Sequence, residues 1–238
     1  MSTVWLDWFC FTRKTALMQR LADLVRTGHR HYVAGQIKLD RSGYFAGKLD
    51  GLYQVGQDRL SASRQRKTGR ASFRLLMLYQ EGHDTLLWWL LHTDGRVPDD
   101  AQREKWRDAL EQPIELTGYE LVRLTRPGAK LPAWTWRYQK QRAQDLRDAI
   151  LRTIRTKRDD ELRQLVDTIW RTPGFAGARD QVKKMGALIV AEWKRSRGTD
   201  PMPELPARLG YVRRLPDVGM KLSEFGERKR AHRRVNMN

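Results

Sequence analysis

The spacing of apolar positions changes several times along the chain. Val, Trp and Phe crowd residues 3–11 and predict a strand, whereas Leu17, Leu21, Leu24 and Val25 recur at helical spacing from Lys14 until Gly28 stops the turn. HRHYVAGQI alternates with the period of a strand. The glycine-punctuated stretch RSGYFAGKLDGLYQVG then predicts a short helix, followed by a basic loop over residues 61–71. SFRLLMLY and TLLWWLLHT flank QEGHD, with Gly82 inside the turn, and predict a hairpin. Its arms are apolar on both faces, which suits central strands covered from both sides. Pro98, Asp99 and Asp100 open a predicted helix that runs to about Leu110 around Trp106 and is closed by Pro113. YELVRLTRPGAKLPAWTWRY predicts a second hairpin turning at Arg126, Pro127, Gly128 and Ala129.

From Gln139 the period becomes helical. Ala143, Leu146, Ala149, Ile150 and Ile154 form one stripe, with Arg147, Arg152, Arg155 and Arg158 on the outer arc. A second helix carries Leu162, Leu165, Val166, Ile169 and Trp170. A third runs over about residues 178–197, with Val182, Met185, Ile189 and Trp193 inward and Lys183, Lys184, Lys194 and Arg195 outward. The segment TDPMPELPARLGYVRRLP, rich in Pro and Gly, predicts an extended surface tail. The expected organisation is therefore an α+β sheet domain over 1–138, a helical domain over 139–198 and a Pro/Arg-rich basic tail over 199–238. The first 138 residues give strand, helix, strand, insertion, hairpin, helix, hairpin. This order resembles an elaborated ferredoxin-like or RRM-like sheet, mainly antiparallel, and the resemblance implies a fold without implying a function.

Composition narrows the function classes. With 40% hydrophobic residues in 238 the chain can bury a core, and no apolar run reaches the ~18 residues that span a bilayer. The N-terminus lacks the basic region and small-residue cleavage site of a secretory signal, and Cys10 is the single cysteine, so a reducing cytoplasm is expected. Forty-six Lys and Arg against 28 Asp and Glu leave a net charge of +18. The excess is localised: residues 61–80 hold five bases and no acid, residues 81–116 hold nine acids against four bases, and residues 139–238 hold 24 bases against 13 acids. A field of this size concentrates polyanions, so nucleic acid, RNA or DNA, is the expected partner. The expected phosphate contacts are Arg64, Arg66, Lys67 and Arg70, then Arg137, Lys140, Arg142, Lys183, Lys184, Lys194 and Arg195, and the terminal cluster Arg228, Lys229, Arg230, Arg233 and Arg234. Other protein subunits of a nucleoprotein assembly are further expected partners. No segment joins a basic face to a bulky apolar one, so a membrane surface is not expected.

Candidate chemistry centres on His29, Arg30 and His31. Residues two apart on a strand share a face, so both imidazoles could meet one divalent metal. The spacing resembles the paired histidines of rolling-circle replication initiators and relaxases, which implies a DNA nickase with a tyrosine nucleophile. Arg30 stands where those proteins place a bulky apolar residue, and no downstream tyrosine is placed on a helix. The triplet after the first helix also resembles the sites of CRISPR repeat-processing endoribonucleases, which implies metal-independent RNA cleavage with His29 or His31 moving protons. No phosphate loop, dinucleotide fingerprint, zinc-protease helix or serine elbow occurs, so no cofactor and no bound metal are expected, and a non-catalytic role is favoured. Tyr32, with Arg30 and Gln36, alternates onto the face opposite the histidines, where it could stack a base. Trp134, Trp136 and Tyr138 share a strand face, for which burial under the following helices is the favoured fate.

Overall fold

The computed structural model describes residues 7–125 and 128–225, a mixed α+β architecture. Two compact units divide the chain, Met1–Gln112 with Leu215–Asn238, and Pro113–Arg214. The division therefore falls before the second hairpin and not at residue 138.

In the first unit, strands β1 (Phe9–Phe11), β2 (His31–Lys38), β3 (Phe73–Tyr79), β4 (Thr85–His92), β5 (Arg107–Asp108) and β9 (Gly219–Lys221) form one sheet in the order β5-β2-β4-β3-β1-β9. Every neighbouring pair is antiparallel except β1 with β3. The β3–β4 hairpin thus lies between β2 and β1, and a parallel pair sits inside the sheet. The split β-α-β order of a ferredoxin-like sheet is not the one observed. Helix α1 (Lys14–Arg26) crosses from β1 to β2, and α2 (Ser42–Tyr53) and α3 (Arg59–Lys67) link β2 to β3. Alternation along the strands separates two faces. One buries Phe73, Met77, Leu86 and Leu90 against Ala46, Leu49 and Tyr53 of α2. The opposite face carries Arg74 and Leu76 beside Arg20 and Leu24 of α1 and Thr27 just after it. Between β2 and β4 the packing needs a glycine: a Cβ at Gly35 would fall 2.9 Å from the Trp88 ring.

Two elements differ from the pattern-based expectation. The basic stretch expected as a loop over 61–71 is helical through Lys67, because Asp58 caps it: its Oδ1 accepts from the Leu60 and Ser61 amides at 2.7 and 2.9 Å. The Ser61 hydroxyl, followed by these two amides, holds the Asp58 carboxyl down at about 2. The helix expected from Asp99 to Leu110 is a 3-10 turn, Asp99–Arg103, followed by β5. Trp106 accounts for the change. Its indole N–H donates to the Ala101 carbonyl at 2.7 Å, and its ring meets His92 edge-on at 4.4 Å, contacts a continuous helix would not allow. The expected tail is without regular structure over 201–218 apart from one bend, and then adds β9 to the sheet edge, with the Leu222 amide donating to the Trp8 carbonyl at 2.9 Å.

The second unit is a three-stranded antiparallel sheet, β6 (Ile114–Leu116), β7 (Tyr119–Leu124) and β8 (Ala133–Tyr138), followed by helices α4 (Lys140–Arg155), α5 (Asp159–Trp170) and α6 (Ala176–Arg197). Helix α6 lies close against β8. A Cβ at Gly177 would stand 2.9 Å from the Trp136 carbonyl, and the Gln181 amide clasps the Tyr138 backbone, accepting from its N–H at 2.6 Å and donating to its carbonyl at 3.1 Å. Trp136 and Tyr138 are buried there, as is Trp193 on α6.

Arg155 ties α4 to α6 through Glu192. The Glu192 Oε1 accepts from Arg155 Nε at 2.8 Å and from the Ser196 hydroxyl at 2.7 Å, and Oε2 accepts from Arg195 Nε at 2.9 Å. Arg195 first, then Arg155 and Ser196, hold this carboxyl far below its ordinary value of 4.5. A carboxyl depressed by folding stabilises the fold above its unfolded pKa, and that stabilisation is lost as pH falls toward the folded value. Glu192→Gln is therefore expected to lower the urea midpoint at pH 7, with the deficit shrinking as the pH is taken below about 4. A deficit that stays constant with pH would mean that packing, not charge, is what Glu192 contributes.

Candidate nucleic-acid interface

Asp58 starts α3 so that Arg59, Arg64, Arg66 and Lys67 come within two and a half turns, all exposed. Arg70 follows the left-handed Gly69 (φ 74°). The Ala71 amide donates to the Arg96 carbonyl at 3.0 Å and the Arg96 amide donates to the Gly69 carbonyl at 2.8 Å, so Arg96 lies beside Arg70. Among the described residues none of these six cations forms an ion pair. Arg59 and Arg96 are absent from the sequence-based set. Arg96 sits in the most acidic stretch of the chain, where no local signal marks it.

In the second unit several arginines meet carboxylates. Arg137 pairs with Glu120 at 2.7 Å, and Arg195 is held by Glu192. Arg158 pairs with Glu161 at 3.1 Å, Arg163 with Asp160 at 2.7 Å, and Arg197 with Asp159 and Asp200 at 2.7 and 2.8 Å. Arg137 and Arg195 are thus partly neutralised by the protein's own carboxylates. Lys140, Arg142, Lys183, Lys184 and Lys194 are exposed and make no ion pair among the described residues. Arg228, Lys229, Arg230, Arg233 and Arg234 lie outside the described residues, as do Arg126 and Pro127 of the expected turn.

The HRH triplet does not present paired histidines. Strand β2 begins only at His31; before it, Gly28 (φ 99°) and a hydrogen bond from the His29 amide to the Leu24 carbonyl at 2.9 Å turn the chain. His29 lines the α1 face together with Arg74. His31 joins the opposite face, where Phe73, His92 and His31 form a row across β3, β4 and β2 with ring spacings of 5.0 and 4.8 Å. Its Nε2 lies 2.7 Å from Asp94 Oδ1, and Arg30 reaches Asp94 and Asp108 at 3.2 and 3.4 Å. No group of three His, Cys, Asp or Glu side chains among the described residues is arranged to hold a metal ion. Two imidazoles on opposite faces cannot share a metal or a substrate atom.

Burial, then the charges of Arg74 and Arg66, push the His29 imidazole down to about 4, with the Leu24 carbonyl working the other way. Burial does the same to His92, also to about 4. A base this weak at neutral pH is a poor proton acceptor for RNA cleavage. Tyr32 is buried and does not present its ring for base stacking. It is 2% exposed, its hydroxyl donates to the Gln112 carbonyl at 3.1 Å, and the Arg107 guanidinium lies 6.0 Å from its ring centre. Cys10 is buried, which pushes its thiol up to about 12 and leaves it inert.

No helix among the described residues is long and apolar enough to cross a membrane. No family model, curated protein or solved structure matches the chain, so the disposition of its unpaired cations is the ground for a functional reading.

Proposed function

We propose that the protein binds nucleic acid through phosphate contacts and serves as a non-catalytic member of a nucleoprotein assembly. The observation that carries this reading is the contrast between two sets of arginines. Arg163 on α5 and Arg195 and Arg197 on α6 are answered by carboxylates, whereas Arg59, Arg64, Arg66, Lys67, Arg70 and Arg96 of the first unit stand exposed and make no ion pair among the described residues, Arg96 being brought beside Arg70 by the backbone bridge between them. Clustered like charges repel one another in the folded state, and a polyanion relieves that repulsion while releasing its condensed counterions. Phosphate contacts fix position and carry little sequence information, so the described surface supports binding to RNA or DNA without base readout. Lys140, Arg142, Lys183, Lys184 and Lys194 supply a further, separate set of contacts on the second unit. An acidic protein partner would use the same charges and is separated by the test.

Fluorescence anisotropy with labelled single strands and duplexes decides it. For about six phosphate contacts, affinity is expected to fall by on the order of a thousandfold between ~50 and ~200 mM salt. Absence of binding to RNA and DNA even at ~50 mM salt would remove the proposal.

A further inference from the structure

Between α1 and α3, against β3, lies a recess of about 490 Å³. Its walls include Arg20, Arg59, Arg66 and Arg74 with His29, and Leu76 forms part of its floor. Asp23 is the one carboxylate in the lining, and it pairs with Arg26 at 3.3 Å. Arg20 is paired with Asp217. That leaves Arg59, Arg66 and Arg74, none of which forms an ion pair among the described residues. Arg74 is half-buried. Burial and then the charges of Arg66 and Arg59 weigh against its protonated form, and Asp58 favours it. His29 is 5% exposed, and neither ring nitrogen makes a hydrogen bond of acceptable geometry, although the Leu24 carbonyl is near enough to favour the charged imidazole.

Buried polar groups without partners are rare in native folds, and three mutually repelling guanidinium groups around a concavity are unfavourable unless something anionic enters. We propose that this recess is a binding site for a phosphate monoester dianion, which on the nucleic-acid reading is the terminal phosphate of a strand. The site deepens that reading and rests on it for the identity of the ligand's other end. Charge separates the terminal group from an internal one. A phosphodiester brings a single negative charge and carries a nucleotide on each side, both of which must clear the walls. A monoester brings nearly two charges and three terminal oxygens, and it enters end-on. Its oxygens suit guanidinium donors. Arg59 and Arg66 belong to both the recess and the exposed face of α3, so a strand held by its end continues directly onto Arg64 and Lys67.

The experiment compares one oligonucleotide sequence ending in hydroxyls, in a 5′-phosphate and in a 3′-phosphate, together with a nucleoside monophosphate alone, by calorimetry and competition anisotropy. At least one phosphorylated strand is expected to bind about tenfold tighter than the hydroxyl-ended strand, and the monophosphate is expected to displace it. Arg74→Gln is expected to erase that ratio. Because Arg74 is half-buried, the exposed Arg59→Gln provides a second variant, and in each variant the ratio of strand affinities is read, not the affinity itself. Equal affinity for all three strands overturns the inference, whether or not the monophosphate binds. Binding of the monophosphate with no binding of any strand supports the phosphate site and brings down the nucleic-acid reading instead.

Discussion

Reversing the charge at Arg64, Arg66 and Lys67 together, each to glutamate, is expected to weaken binding of a single-stranded oligonucleotide by at least about tenfold at moderate salt, and to flatten its log–log salt dependence by about 2 to 3. All three side chains are exposed on α3 and make no ion pair among the described residues, so their loss leaves no buried partner stranded. The helix itself is retained, because its cap is Asp58 and its one buried side chain is Ala62. Far-ultraviolet circular dichroism and the thermal midpoint of the variant should therefore match the parent protein, while the anisotropy titration shifts. A control with two such reversals changes Arg158 and Arg163, which already pair with Glu161 and Asp160. If that control weakens binding as much as the α3 variant, net charge alone governs affinity and the assigned surface is wrong.

Trp136→Ala is expected to destabilise the second unit by about 3–5 kcal/mol. Trp136 is fully buried on β8, opposite Leu121 of β7, and its carbonyl is packed against Gly177 of α6. Neighbours locked by Gln181 and by the Thr135 hydroxyl, which accepts from the Gly177 amide at 3.1 Å, have little freedom to collapse into the space left behind. Against a typical total of ~5–15 kcal/mol for a domain, such a loss is severe. Hydrogen exchange provides the readout: amides of α4 and α6 should lose protection, and those of β2, β3 and β4 should keep theirs. Equal loss throughout would show that the two units unfold as one.

Much of the secondary structure was legible because it follows local periodicity. The stripe from Leu17 to Val25, the alternation of HYVAGQI, the hairpin about Gly82 and the helices after Gln139 all appear where their spacing predicts them. Two local signals misled. SASRQRKTGRAS is polar enough to pass for a loop, yet a capping aspartate three residues upstream starts a helix through it. The segment after Pro98 has a helical opening, but Trp106 gains more from an aromatic row and a carbonyl five residues back than from continuing the helix.

The candidate site divides along the same line. The concentration of bases at residues 61–80 and 139–238 and the +18 balance are properties of composition, and the expectation of a polyanionic partner follows from them before any fold is known. Which cations remain available is a matter of long-range pairing. Arg155 meets Glu192, 37 positions away, and His31 meets Asp94, 63 positions away. The turn before β2 likewise separates His29 from His31, and the fold brings Arg74 and Arg59 to one recess. Charge and periodicity are summed or read along the chain, so the sequence alone determines them. Ion pairing and shared cavities depend on distances between residues remote in the chain, and those distances exist only once each unit has folded.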